Sequence, residues 1–112
     1  MVVSKIVRYG LYWAQLDPTR GSEISKTRPV VVVSPDDMNR SLETVVVCPL
    51  TSKLHPHWAS RVACVCDGVA SEIAVDQIWT VSKSRLARSI GRIDAVTQQD
   101  LRQTIALLYV NS

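Results

Sequence analysis

A small β-rich domain, a barrel or sandwich closed by one C-terminal helix, is what the 112-residue sequence predicts, and three features predict it. Short apolar segments recur between clusters of turn residues, as they do in all-β domains. Two valine runs, at 30–33 and 45–47, are too continuous for strands with one wet face and read as strands covered on both sides. Near the end the apolar period lengthens from that of a strand to that of a helix. A chain of this length holds one core and not two, so residues 1–112 are read as a single domain.

Taken in order, "LYWAQL" (11–16) lies between Gly10 and "DPTRGS", and "PVVVVS" (29–34) runs from Pro29 to "PDDMN". "TVVVCPL" (44–50) stops at "TSK", "RVACVC" (61–66) stops at "DG", and "SEIAVDQIWTV" (71–81) follows as one segment. In "SIGRI" (89–93) the glycine predicts a bulge or tight bend. In "TQQDLRQTIALLYV" (97–110), Thr97 and Asp100 make a capping-box-like start, and Leu101, Ile105, Leu108 and Tyr109 share one helical face. A short helix in "PDDMNRS" and a turn in "SKSRLAR" complete the series.

The formal net charge is +3, and nine of the thirteen cations are Arg. Arg presents a planar fork of donors suited to phosphate oxygens and stacks on bases, so a nucleic-acid or phosphate partner is favoured; the same charge also serves solubility. Three cysteines, odd in number and set in apolar runs, do not form the disulfide framework of a small secreted domain, and a reducing cytoplasm fits them. The N-terminal stretch has no sustained apolar region before a small-residue cleavage site, and nowhere do 18 apolar residues run together, so neither export nor a membrane is expected.

Four places carry candidate chemistry. The polar loop "DPTRGSEISKTR" (17–28) holds Gly21 and three cations, and its amides and arginines suit an anion. "CPLTS" (48–52) ends a buried strand in Thr51 and Ser52; if that strand and the preceding one are antiparallel neighbours, Arg28 and Thr51 share one rim. "HPHW" offers His55 and His57 either as an acid–base pair for cutting RNA or as exposed loop residues. The same pair with "CVC" (64–66) spells a zinc pattern, against which stands the reading of Cys64 and Cys66 as core residues. Finally Asp76 and Gln77 break an apolar strand, and the carboxylate needs a partner such as Arg28 or Arg20.

The ordered set "DPTRGSE", "TRPVVVVS", "CPLTS", "VDQIWTVSKSRL" and "IGRI", from about Tyr9 to Val110, resembles the MazF/PemK/Kid family of toxin endoribonucleases. The resemblance implies an SH3-like β-barrel with added helices, the CcdB/PemK-like plasmid maintenance toxin fold. It implies a homodimeric toxin of a type II toxin–antitoxin system that cuts single-stranded mRNA without metal or cofactor, by 2′-hydroxyl attack, to give 2′,3′-cyclic phosphate and 5′-hydroxyl ends. The family's catalytic Arg and Thr fall on Arg28 and Thr51, and a supporting loop carboxylate falls on Glu23. Thr19, Arg20, Gly21, Ser22, Ser52, Asp76 and Gln77 fall on RNA-contacting positions. An antitoxin with an acidic, flexible segment is the implied partner. Two positions depart: Ala74 stands where some relatives have an Arg used in catalysis, and Leu11 where an acidic residue is frequent. "KLHPHW" has no counterpart. The alternatives on the same fold are a non-catalytic toxin that poisons DNA gyrase and a barrel that binds RNA without cutting it.

Overall fold

The computed structural model describes residues 5–16 and 27–111. Among them seven strands form an antiparallel sheet: β1 (Gly10–Gln15), β2 (Thr27–Val32), β3 (Thr44–Thr51), β4 (Arg61–Cys66), β5 (Val69–Ala74), β6 (Trp79–Ser82) and β7 (Leu86–Arg92). Their order is β4-β5-β3-β2-β1-β7, with β6 also on β3. A short helix α1 (Asp36–Ser41) lies between β2 and β3, and α2 (Ala95–Tyr109) follows β7.

The strand β3 bends the sheet into a half-barrel. Along one edge its residues Val47–Pro49 meet β2. Along the other, Thr44–Val47 meet β6 while Leu50 and Thr51 meet β5. One strand therefore belongs to two surfaces, and the valine runs explain why it is stable there. Val31, Val33, Cys48 and Leu50 face a core with Ile73 and with Leu101 of α2. Val30, Val32, Val45 and Val47 face a second core with Tyr12, Ala14 and Leu86. Both faces are buried along Val30–Val32 of β2 and Val47–Leu50 of β3, as their apolar runs require.

Three elements differ from the sequence reading. The single segment 71–81 is two strands with a 3₁₀ turn, Val75–Gln77, between them. The cause is topological: Ala74 pairs with Arg61 on one side of the barrel, whereas Trp79 pairs with Val47 on another, so the chain must change direction. The turn is anchored by the Val75 N–H, which donates to the Ser60 carbonyl at 3.0 Å. Asp76 and Gln77 lie exposed on it and do not interrupt a buried strand. Helix α2 begins at Ala95, because Asp94 rather than Thr97 is its N-cap: the Asp94 carboxylate accepts the Thr97 N–H at 2.8 Å. Of the expected apolar face, Leu101 is buried and Ile105 packs on the core, while Leu108 is half-exposed and Tyr109 reaches back through its hydroxyl, which donates to the Val75 carbonyl at 2.7 Å.

Other expectations hold. Gly91 sits in a bulge, with Leu11 opposite Gly91 and Tyr12 opposite Ser89, and its φ of 137° is one that side-chain-bearing residues rarely adopt. "PDDMNRS" contains α1, and "SKSRLAR" contains a 3₁₀ turn at Lys83–Arg85. Cys48, Cys64 and Cys66 are free thiols packed on the first core, and burial pushes Cys48 up to about 12 and Cys64 up to about 11. Such thiols act as small apolar groups.

Candidate functional site

The site grows out of the seam between β2 and β3. Their ladder ends at Val30 opposite Pro49. Pro29 and Pro49 have no N–H to give, so the seam loses donors there, and beyond it β3 takes β5 as its partner. Continuing the register by two residues sets Arg28 opposite Thr51. Both line a cavity of ≈ 440 Å³ together with Trp13, Pro29, Leu50 and Ser52. The same two residues line a second cavity of ≈ 190 Å³ with Lys53, His55, Arg61 and Gln77. Arg28 and Gln77 share a third with Trp79. Thus the adjacency of Arg28 and Thr51 expected from antiparallel pairing is present, and Ser52 and Gln77 join them.

The chemistry of this rim is set by which donors are already engaged. Thr51 Oγ1 accepts the Lys53 N–H at 3.1 Å, a turn bond that fixes the hydroxyl while its own proton remains free to donate. Arg28 is exposed and makes no ion pair among the described residues. With Lys53 also lining it, the rim presents positive charge that no carboxylate among the described residues engages.

Arg61 is the opposite case. Its side chain is only 7% exposed; its Nε donates to Asp76 Oδ1 at 3.0 Å, and Nη1 lies 3.7 Å from Glu72 Oε1. Its guanidinium also sits 4.7 Å from the centroid of the Trp58 ring, and Trp58 in turn stacks on His55 at 3.9 Å with the rings 7° from parallel. The His55 N–H donates to Glu72 Oε1 at 2.9 Å. One buried carboxylate thereby ties β4, β5 and the loop after β3 together. The partner of Asp76 is therefore Arg61, where the sequence suggested Arg28 or Arg20. Partial burial pushes the Asp76 carboxyl up, but hydrogen bonds from Arg61 and Ser60 outweigh it and hold the group below its usual range.

Arg61, Glu72, Trp58 and Lys53 were not singled out by the sequence, yet a signal existed. "DG" at 67–68 makes a two-residue hairpin turn with φ of 52° and 80°, which fixes Arg61 opposite Ala74 and Ala63 opposite Glu72. Arg61 and Glu72 are then diagonal neighbours on one face. Thr19, Arg20, Gly21, Ser22 and Glu23 lie outside the described residues. Among the described residues, no three His, Cys, Asp or Glu side chains group closely enough to hold a metal ion, and no helix is long and apolar enough to cross a membrane.

Known proteins resemble this chain in sequence and share its fold. The family described as PemK-like, MazF-like toxin of type II toxin–antitoxin system matches residues 7–109. The chain is 30% identical over 112 residues to Endoribonuclease MazF9 of Mycobacterium tuberculosis, covering 91% of this chain and 95% of that protein. It is 37% identical over 98 residues to Endoribonuclease EndoA of Bacillus subtilis, covering 80% and 82%. Among solved structures, the Mycobacterium tuberculosis toxin MazF-mt6 is similar with a TM-score of 0.74 at 25% identity, over 88% of this chain and 93% of that one. A MazE–MazF crystal structure from Deinococcus radiodurans shares the fold with a TM-score of 0.80 at 24% identity, over 95% and 96%.

Proposed function

The chain belongs to the PemK-like, MazF-like toxin family of type II toxin–antitoxin systems, and on that premise we propose that it is the endoribonuclease of such a pair, cutting single-stranded RNA with Arg28 and Thr51 at the scissile phosphate. The observation that carries this reading is the meeting of a fixed hydroxyl and an exposed guanidinium on the walls of the same two cavities. The names of the relatives, endoribonucleases in M. tuberculosis and B. subtilis, support it.

The reaction needs what this rim offers. The ribose 2′-oxygen attacks phosphorus, the bond to the 5′-oxygen breaks, and a 2′,3′-cyclic phosphate and a 5′-hydroxyl result. Between them stands a phosphorane carrying an extra negative charge, so donors placed before the reaction stabilise the transition state more than the bound substrate. Arg28 supplies a two-pronged donor to the non-bridging oxygens. The Thr51 hydroxyl donates to the same phosphate and helps hold the in-line geometry. Glu23 is the carboxylate assigned to receive the 2′-hydroxyl proton. Asp76 is a poor base near neutrality, since its carboxyl is held below the usual range, and it serves to orient Arg61. Thr19, Arg20, Gly21, Ser22, Ser52 and Gln77 contact the RNA on either side.

The positive rim of Arg28 and Lys53 also suits the antitoxin: an acidic, flexible segment lying over it covers the site. The toxin acts as a homodimer in the cytoplasm, the compartment that its three free cysteines suit. The test is direct. Purified protein in EDTA should cut single-stranded RNA and leave cyclic phosphate or its hydrolysis products, and co-expression with the neighbouring open reading frame should restore growth. Inhibition of DNA gyrase with every RNA left intact would replace this reading.

A further inference from the structure

Displacement of the 5′-oxygen leaves an alkoxide, which departs far more readily if it is protonated as the bond breaks. The residues around the ≈ 190 Å³ cavity therefore matter for which of them can release a proton and take it back near neutral pH. A guanidinium does not give up its proton, an ammonium is a poor proton donor near neutral pH and an aliphatic hydroxyl a poorer one, which sets aside Arg28, Arg61, Lys53 and Thr51. Glu72 is buried and engaged by Arg61 and by the His55 N–H. Asp76 is bonded to Arg61 and carries no proton to give. Ala74, opposite Arg61, contributes none.

His55 remains. It lines the cavity together with Arg28 and Thr51. Its place is also built rather than accidental: the ring is stacked on Trp58 at 3.9 Å, the backbone N–H is bound to Glu72, and the His55 carbonyl accepts the Trp58 N–H at 3.0 Å. An imidazole titrates in the range where it can act as an acid and be recharged by water. Resting on the endoribonuclease reading, we propose that His55 is the general acid of the site, giving its ring N–H proton to the departing 5′-oxygen. The electron pair of the broken P–O bond takes that proton, and the resulting neutral imidazole is reprotonated from solvent before the next cut. The charged groups around it are Arg28 from β2, Lys53 just after β3, Arg61 from β4, Glu72 from β5 and Asp76 through Arg61. His57, two residues on, is exposed and is not among the residues lining this cavity.

The experiment compares wild type, His55→Gln and His57→Gln on two oligonucleotides of one sequence. One carries the ordinary 5′-oxygen at the cleaved bond; the other carries sulfur there, a leaving group that needs no proton. On the ordinary RNA, wild-type kcat should fall as pH rises through the imidazole range, and His55→Gln should lose that limb together with ~10²–10⁴-fold of rate. On the sulfur substrate His55→Gln should cut nearly as fast as wild type. Binding of an uncleavable 2′-deoxy analogue should be unchanged in both variants, and His57→Gln should match wild type throughout. An undiminished His55→Gln, or a defect equally large on the sulfur substrate, overturns the assignment and leaves the endoribonuclease reading standing. A wild type that cuts no RNA removes both.

Discussion

Arg28 and Arg61 line one cavity and differ in every other respect. Arg61 is buried against an indole ring and answered by two carboxylates, whereas Arg28 is exposed at the start of a strand and has no ion pair among the described residues. A guanidinium engaged by two carboxylates has little left for a phosphate, and one without them keeps all its donors. Residue type alone thus does not mark a catalytic arginine; the disposition of nearby carboxylates does. The first should be worth stability and the second activity, and substitution separates them.

The largest effect expected is on folding. Arg61→Ala leaves Glu72 buried without its cation, which costs about 3–5 kcal/mol of stability, measured by urea unfolding. Replacing Arg61 and Glu72 together by methionine should recover much of that loss, since no buried charge is then stranded. If Arg61→Ala unfolds at the wild-type denaturant concentration, the network is ornamental and the contrast with Arg28 disappears. Next comes Arg28→Ala, expected to lower kcat by about 10²–10³-fold while stability shifts by less than about 0.5 kcal/mol. Arg28→Lys should recover only part of the rate, because a point charge does not reproduce a two-pronged fork. Wild-type cutting by Arg28→Ala would refute its assigned role.

The same contrast explains what could be seen from the sequence. Arg28 and Thr51 were visible because they bracket long valine runs, and strands too apolar to face water leave only their ends for chemistry; antiparallel pairing then brings those ends together. Arg61 and Glu72 were hidden because each looks like the polar edge of its own strand, and only the register set by Asp67 and Gly68 shows that they meet. The break at Val75–Gln77 was invisible for a related reason. Apolar residues continue across it on both sides, and the change of partner from β4 to the far half of β3 is a property of the barrel, not of the local pattern. Helix α2 was placed by its period, but its cap was set three residues late, since Thr97 and Asp94 are both good caps and only the bond from the Thr97 N–H decides.

Thr51 refines the comparison at a smaller scale. Its Oγ1 already accepts the Lys53 N–H, so Thr51→Val removes both a turn bond and the donor to the phosphate. Loss of a hydrogen bond to a charged group amounts to about 1.5–3 kcal/mol, and so to roughly a 10–100-fold fall in kcat. Thr51→Ser keeps both functions and should cut within a few-fold of wild type. Equal activity of Val and Ser at this position would mean that the hydroxyl only shapes the turn.

The smallest effect concerns Asp76, the exposed end of the Arg61 network. Its folded-state carboxyl titrates below the unfolded one, so the folded protein binds the proton less tightly than the unfolded chain does. The stability this confers is therefore complete above about pH 4, the ordinary carboxylate range, and drains away as pH falls through the lower folded value. With its side chain 37% exposed, solvent screens the pair with Arg61, and the contribution should stay under about 1 kcal/mol. Asp76→Asn should accordingly be slightly less stable than wild type at pH 7, and the gap should narrow in urea titrations as pH falls below about 4. A gap that persisted unchanged however far the pH was lowered would show that Asp76 holds Arg61 by hydrogen-bond geometry alone, and that the charge which offsets this guanidinium is supplied by Glu72.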